Sequence, residues 1–173
     1  LEPRPTWSKR MGAVGFGLQA VATLPQLPAM RAVVEVDDYQ LEDDFLLILV
    51  SNVRRYAGGM VVLNSDGLLD DALLEVWLFR AGEAAENLLP GQRVAKMAGY
   101  MAAARLGRQD FAPGMLLIPG RNVTIRTQPP MHCHTDGESA GLTPIVCELK
   151  PKALRLLVPQ STPSDLFLEP GIP

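Results

Sequence analysis

Three side chains that could do chemistry alternate in the last third of the chain: His132, His134 and Asp136. On an extended strand, alternate residues share a face, so all three would point one way, as the ligands of a transition metal do. They include both of the chain's 2 histidines. A zinc site would also ask for a fourth ligand and for hydrogen-bond partners that orient the rings, and plain strand alternation gives the same pattern with no ion. Asp136 opens a second pattern, Asp136-Gly137-Glu138, in which Asp-Gly by itself marks a tight turn. Upstream lies an acidic loop, Asp66-Gly67-Leu68-Leu69-Asp70-Asp71-Ala72-Leu73-Leu74-Glu75. Its carboxylates and carbonyls are hard oxygen donors of the kind Mg²⁺ prefers; a bare acidic turn between strands is the alternative. A third acidic group, Asp37, Asp38, Asp43 and Asp44, reads as a solvated turn rather than a metal cluster.

Composition bounds these readings. At 173 residues and 47% hydrophobic, the chain can bury the core of one domain. A net charge of -3 with 20% charged residues gives no basic footprint, so nucleic acid is not an expected partner. Cys133 and Cys147 form no CxxC and define neither a zinc cage nor a disulfide framework. A reducing cytoplasm is the default location, with Cys147 a small core residue. No run of 18 apolar residues suggests a membrane span. The first residue is Leu, no signal-peptide pattern follows, and the chain reads as a piece of something longer.

The elements that must position these groups follow from periodicity. Residues 1–8 are Pro-rich and read as a loose leader. Met11, Val14, Leu18 and Val21 predict a helix over Lys9–Leu24, capped by Ser8 and stopped by Pro25. Ala32–Val36 and Phe45–Val50 predict a β-hairpin around the polar run Asp37–Asp44. Met60–Leu63 and Val76–Phe79 predict two more strands. Gly82–Gln109 predicts the second helix, with a stripe of Val94, Met97, Ala98, Met101 and Leu106 that reads as core packing. Strands then follow over Met115–Ile118, Asn122–Gln128, Met131–Thr135, Pro144–Leu149 and Ala153–Val158. The expected fold is α+β, predominantly antiparallel β: a β-sandwich-like domain with two helices over residues 9–160, followed by a tail over 161–173.

In order and separation, Val50-Ser51-Asn52, Gly58-Gly59, the acidic loop and Asp136-Gly137-Glu138 resemble the C-terminal, strand-rich domain of the diacylglycerol kinase-like and sphingosine kinase-like lipid kinases. The resemblance runs from about Lys9 to Pro159. The family's loop reads Asp-Gly-x-Leu-Asp-Val, and two alignments are open. Asp66-Gly67-Leu68-Leu69-Asp70 matches it literally but stands seven residues beyond Gly59, with no strand after it. Asp71-Ala72-Leu73-Leu74-Glu75-Val76 stands twelve beyond Gly59 and runs straight into a strand, with Ala72 for Gly and Glu75 for Asp. On the second alignment, the resemblance implies a structural Mg²⁺ held by the Asp71 carboxylate and the carbonyls of Leu68 and Leu73. It implies that Asp136 is the general base toward a lipid hydroxyl, and that Glu138 stands on the ATP side.

The family binds ATP with an N-terminal domain carrying a Gly-Gly-Asp-Gly-Thr loop, which this chain lacks, and no Walker A or GxGxxG replaces it; Gly12 to Gly17 has the wrong spacing. The resemblance therefore implies one half of an ATP-dependent lipid kinase whose own N-terminal nucleotide-binding domain is absent from this chain, inactive alone. Its partner would be a lipid substrate such as diacylglycerol, met in transient peripheral contact at the membrane surface. A non-catalytic β-rich binding module that keeps only the fold is the alternative reading. A strand edge left unpaired would be a route to a homodimer.

Overall fold

The computed structural model describes residues 29–56, 61–62, 64, 66–82, 85–106, 108, 112–136 and 138–168. The predicted helix over Lys9–Leu24 and the Gly58-Gly59 pair lie outside them.

The first hairpin forms as its pattern demands. β1 (Met30–Val36) and β2 (Tyr39–Ser51) pair in antiparallel register from Met30↔Phe45 to Val36↔Tyr39. The turn is only Asp37-Asp38, with Asp37 in the left-handed region at φ 49. Asp43 and Asp44, expected in a solvated turn, instead lie inside β2: Asp44 pairs with Arg31 and Asp43 with Arg80. The turn is tight because a two-residue loop suits the right-handed strand twist and Asp tolerates positive φ.

The remaining strands complete a six-stranded antiparallel sheet in the order β10-β7-β1-β2-β5-β6. Here β5 is Leu74–Arg80, β6 Met115–Gly120, β7 Asn122–Gln128 and β10 Ile145–Glu148. β6 sits on one edge and β7 next to the other, yet Arg121 alone joins them. A single residue spans only a few ångströms, so the sheet has to curl until the two ends meet. Gly120 is at the junction, where a Cβ would run into Val36 Cγ1.

The curl creates an interior. Ala32, Val34, Val36, Phe45, Val76, Leu78, Val123 and Ile125 fill it, all buried. The opposite face buries Leu46, Trp77 and Phe79 against Met97, Tyr100 and Ala104 of the helix α1 (Pro90–Arg105). β2 serves both layers through a bulge between Phe45 and Leu47. Phe45 faces the interior while Leu46 and Leu47 both face the helix side.

The helix starts later than expected. Gly82 is left-handed at φ 87, a short 3₁₀ turn follows at Ala85–Asn87, and Pro90 takes the first helical position. Proline has no amide to give to a preceding turn but loses nothing at a helix start. Gln92 then reaches back to the Leu89 amide at 2.9 Å, half of a capping box. Tyr100 fixes the helix to the sheet: its hydroxyl donates to the Arg80 carbonyl at 2.8 Å, and its ring packs 5.8 Å from Phe79. A concave surface beside it is lined by Arg31, Asp43, Arg80 and Lys96. Those charges are already committed, Arg31 and Arg80 to acids of β2 and Lys96 to the Ala81 carbonyl.

Two small ladders stand apart from the main sheet. β3 (Arg55–Tyr56) pairs with β4 (Val61–Val62), the shortened form of the strand expected at Met60–Leu63. β8 (His132–Thr135) pairs with β9 (Glu138–Leu142). The strand expected at Ala153–Val158 is absent. Pro151 offers no amide and Lys152 turns the chain at φ 54; the segment that follows is without regular structure and exposed.

Candidate active-site hairpin and acidic loop

Asp136 occupies the tip of the β8–β9 hairpin. Thr135 pairs with Glu138 across the turn, and Asp136 has φ 50. Asp is among the residues that tolerate a left-handed backbone in a turn. Asp136 and Glu138 are exposed, as is every residue of β9. β9 was not legible in the sequence because Glu138-Ser139-Ala140-Gly141-Leu142 buries nothing and so carries no alternation. It contains a bulge instead, opposite Cys133-His134, with Gly141 left-handed at φ 92.

The geometry separates Asp136 from the histidines. His132 and His134 are exposed on β8, but the strand ends at Thr135 and Asp136 is turned out of it. Among the described residues, no group of three or more His, Cys, Asp or Glu side chains is disposed to share a metal ion. The two cysteines are free and half-buried. Burial pushes both thiols up, and the neighbouring Cys147 adds to the effect at Cys133.

The acidic loop precedes β5 and is tightly tied. Asp71 Oδ1 accepts the Leu73 amide at 3.0 Å, an Asx turn around Ala72, which has φ 61. That is the backbone a glycine would adopt, so Ala72 holds a glycine-like conformation at a steric cost. The side chain of Glu75 folds back under the loop. Its Oε1 accepts Asn64 Nδ2 at 2.5 Å, and a Cβ on Gly67 would overlap it. Its Oε2 is buried with the Trp77 indole as its neighbouring donor, though the two are not aligned for a well-formed hydrogen bond. Burial pushes the Glu75 carboxyl up; the Asn64 hydrogen bond opposes this and the Asp71 charge adds to it.

The tail closes over the same loop. Arg54 Nε donates to the Gly67 carbonyl at 2.5 Å, and its guanidinium clamps both the carboxylate (2.7 Å) and the carbonyl of Asp165. Leu69 donates to the Leu166 carbonyl at 2.9 Å, and the Leu168 amide donates to Asp70 Oδ1 at 2.7 Å. The Arg54 hydrogen bond holds the Asp165 carboxyl below the usual range. None of Arg54, Asn64 or Asp165 stood out in the sequence, since each gains its role from partners far along the chain. Asp136 and Asp71 make no hydrogen bond or ion pair with each other.

Residues 5–158 match the family model described as the YegS C-terminal NAD kinase beta sandwich-like domain. The chain belongs to that family. Among curated relatives, "Probable lipid kinase YegS-like" of Alcanivorax borkumensis is 28% identical over 157 residues, covering 90% of this chain and 49% of the relative. The protein of the same description from Stenotrophomonas maltophilia is 24% identical over 155 residues, covering 90% and 47%. The chain thus spans about half the length of the curated relatives it matches. Crystal structures from Bacillus anthracis share the fold. One, of a candidate diacylglycerol kinase, has a TM-score of 0.54 at 17% identity, covering 87% of this chain and 48% of the solved one. Another, of a diacylglycerol kinase, has a TM-score of 0.50 at 16% identity, covering 76% and 43%. No helix among the described residues is long and apolar enough to cross a membrane.

Proposed function

We propose that this YegS-family domain is the lipid-acceptor half of an ATP-dependent lipid kinase, with Asp136 as general base. The observation that carries the reading is the placement of Asp136: exposed, at a left-handed hairpin tip that stands off the sheet. Family membership and the names of the curated relatives supply the chemical class. The lipid hydroxyl loses its proton to Asp136 as its oxygen bonds to the γ-phosphorus, and the bond from that phosphorus to ADP breaks. Such a loose transition state asks for a well-placed acceptor rather than a strong base. ATP is held mainly by a nucleotide-binding half outside this chain, and Glu138, two residues past Asp136, stands on the nucleotide side.

The donors of the acidic loop fit Mg²⁺. Asp71 would supply one carboxylate oxygen, Leu68 and Leu73 their carbonyls, with water completing the shell. A bound Mg²⁺ would lend the loop positive charge, and the buried, unpartnered Glu75 oxygen beside it would gain from that charge. Ala72 and Glu75 are departures from the family loop and favour the alternative, a non-catalytic module. The glycine-like backbone at Ala72 weakens the first of these.

In this reading the kinase works in the cytoplasm and meets its lipid, diacylglycerol or a relative, by transient contact with the membrane surface. A net charge of -3 offers no polybasic anchor for that contact. The test is Asp136→Asn in the kinase that joins this chain to its nucleotide-binding half. Turnover is expected to vanish with the fold intact by circular dichroism; turnover near wild type would overturn the assignment.

A further inference from the structure

The hairpin bearing Asp136 joins the sheet through a neck of two limbs, one at Gln128–Met131 and one at Thr143-Pro144, both with cis X-Pro bonds. Otherwise β8 and β9 pair only with each other. Two threonines hold the neck. The Thr143 amide donates to the Met131 carbonyl at 2.9 Å, and the Met131 amide donates to Thr143 Oγ1 at 2.9 Å. Thr143 Oγ1 also meets Thr127 Oγ1, and Thr127 Oγ1 lies 2.9 Å from the Pro129 carbonyl.

Counting hydrogens fixes the direction of this chain. A carbonyl only accepts, so the single hydroxyl hydrogen of Thr127 goes to Pro129. Thr143 must then supply the hydrogen between the two hydroxyls while accepting from Met131. The relay runs one way, from the Met131 amide through Thr143 and Thr127 to the Pro129 carbonyl. Thr143 is only 7% exposed, so the bonds it makes to Met131 and Thr127 are not readily replaced by water, whereas the Thr127–Pro129 bond lies at the surface. Thr127 lies two positions past Ile125, in the inward row of β7, opposite buried Ala32 of β1. The relay therefore roots a protruding hairpin in a strand of the main sheet.

We propose that Thr127 and Thr143 are positioning residues for Asp136, their hydroxyl relay setting the angle at which the hairpin leaves the sheet. The inference rests on Asp136 as the base. Serine preserves the relay at either position, whereas valine keeps the shape and breaks it: at 143 it takes the acceptor from the Met131 amide, and at 127 it gives up the bond to the Pro129 carbonyl.

The test combines amide hydrogen exchange on the 173-residue chain with turnover in the joined kinase. Thr143→Val is expected to speed exchange across the hairpin amides while β1, β2 and β5 keep their protection. In the kinase it should lower kcat about ten- to a hundredfold, the scale of a small misplacement of a reacting group, with KM for ATP unchanged. Thr143→Ser should restore both. Unchanged hairpin exchange in Thr143→Val would overturn the relay. Faster exchange with wild-type kcat, while Asp136→Asn is inactive, would overturn positioning and leave the base reading standing. Full turnover in Asp136→Asn would remove the base reading and this inference with it. Should Thr143→Val fail to fold, Thr127→Val and Thr127→Ser carry the same comparison, since they leave both Met131–Thr143 hydrogen bonds in place.

Discussion

Asp37 holds Asn122 on the neighbouring strand. Its Oδ1 accepts the Asn122 backbone amide at 2.9 Å and the side-chain amide at 3.2 Å, and the same carboxylate takes the Arg121 amide at 3.1 Å. The turn of the first hairpin thereby pins the one-residue link between β6 and β7, at the point where the curled sheet meets itself.

The bonds to Asn122 and Arg121 hold the Asp37 carboxyl below its ordinary value. A depressed carboxyl adds stability above the unfolded-state value and loses it as the pH falls through the folded one. Asp37→Ala should therefore lower the thermal midpoint at pH 7, with the gap to wild type narrowing below about pH 4 to the pH-independent cost of Ala at φ 49. Thermal melts followed by circular dichroism at both pH values check this; a gap that stays constant with pH would contradict it.

Gly114 and Tyr100 are coupled by space. A Cβ at Gly114 would overlap the Tyr100 hydroxyl, which is held on the Arg80 carbonyl. Gly114→Ala should cost about 1–3 kcal/mol, as overpacking in a core does. In a Tyr100→Phe background most of that cost should disappear, which a double-mutant cycle in urea would read as strong non-additivity.

Ala72 carries a left-handed backbone at φ 61. Ala72→Gly removes the Cβ penalty and should stabilise the domain by about 1 kcal/mol, offset in part by the greater freedom of glycine in the unfolded chain. Urea denaturation measures the balance. A loss of stability would mean that the Ala72 methyl makes packing contacts that outweigh its strain.

Glu75 works in the opposite sense to Asp37. Burial raises its carboxyl, so the charged form opposes folding, and that opposition grows as the pH rises from the unfolded value through the folded one. Glu75→Gln keeps an acceptor for Asn64 and should be the more stable protein at pH 7, with the advantage fading toward pH 4. Millimolar Mg²⁺ should narrow the pH 7 advantage by stabilising wild type, and Asp71→Asn should remove that response. Melts with and without Mg²⁺ decide it.

Much of this was legible in the sequence. The alternation of Val123 and Ile125, and the apolar runs around Phe45 and Val76, give the strands because period-2 burial writes itself into residue type. The Asp136-Gly137 turn was legible too, since few dipeptides accept its backbone. The curl was not, because it depends on one short link and one carboxylate rather than on any periodic signal. β9 was hidden by its exposure, and Ala153–Val158 misled because apolar residues in a strand-like run need a partner edge that the turn at Lys152 denies them. Thr127 left one readable trace, a polar residue in an otherwise apolar inward row.

The one-residue link at Arg121 also orders events during synthesis. β1 can meet β2 once the strand after its two-residue turn has left the ribosome, but its other neighbour, β7, emerges only after β5, α1 and β6. Until then one edge of β1 stands open to any passing strand. When β7 does arrive it covers that edge of β1, and its one-residue tether brings the β6 edge in beside it, so the curl of the sheet is set by a late-made strand.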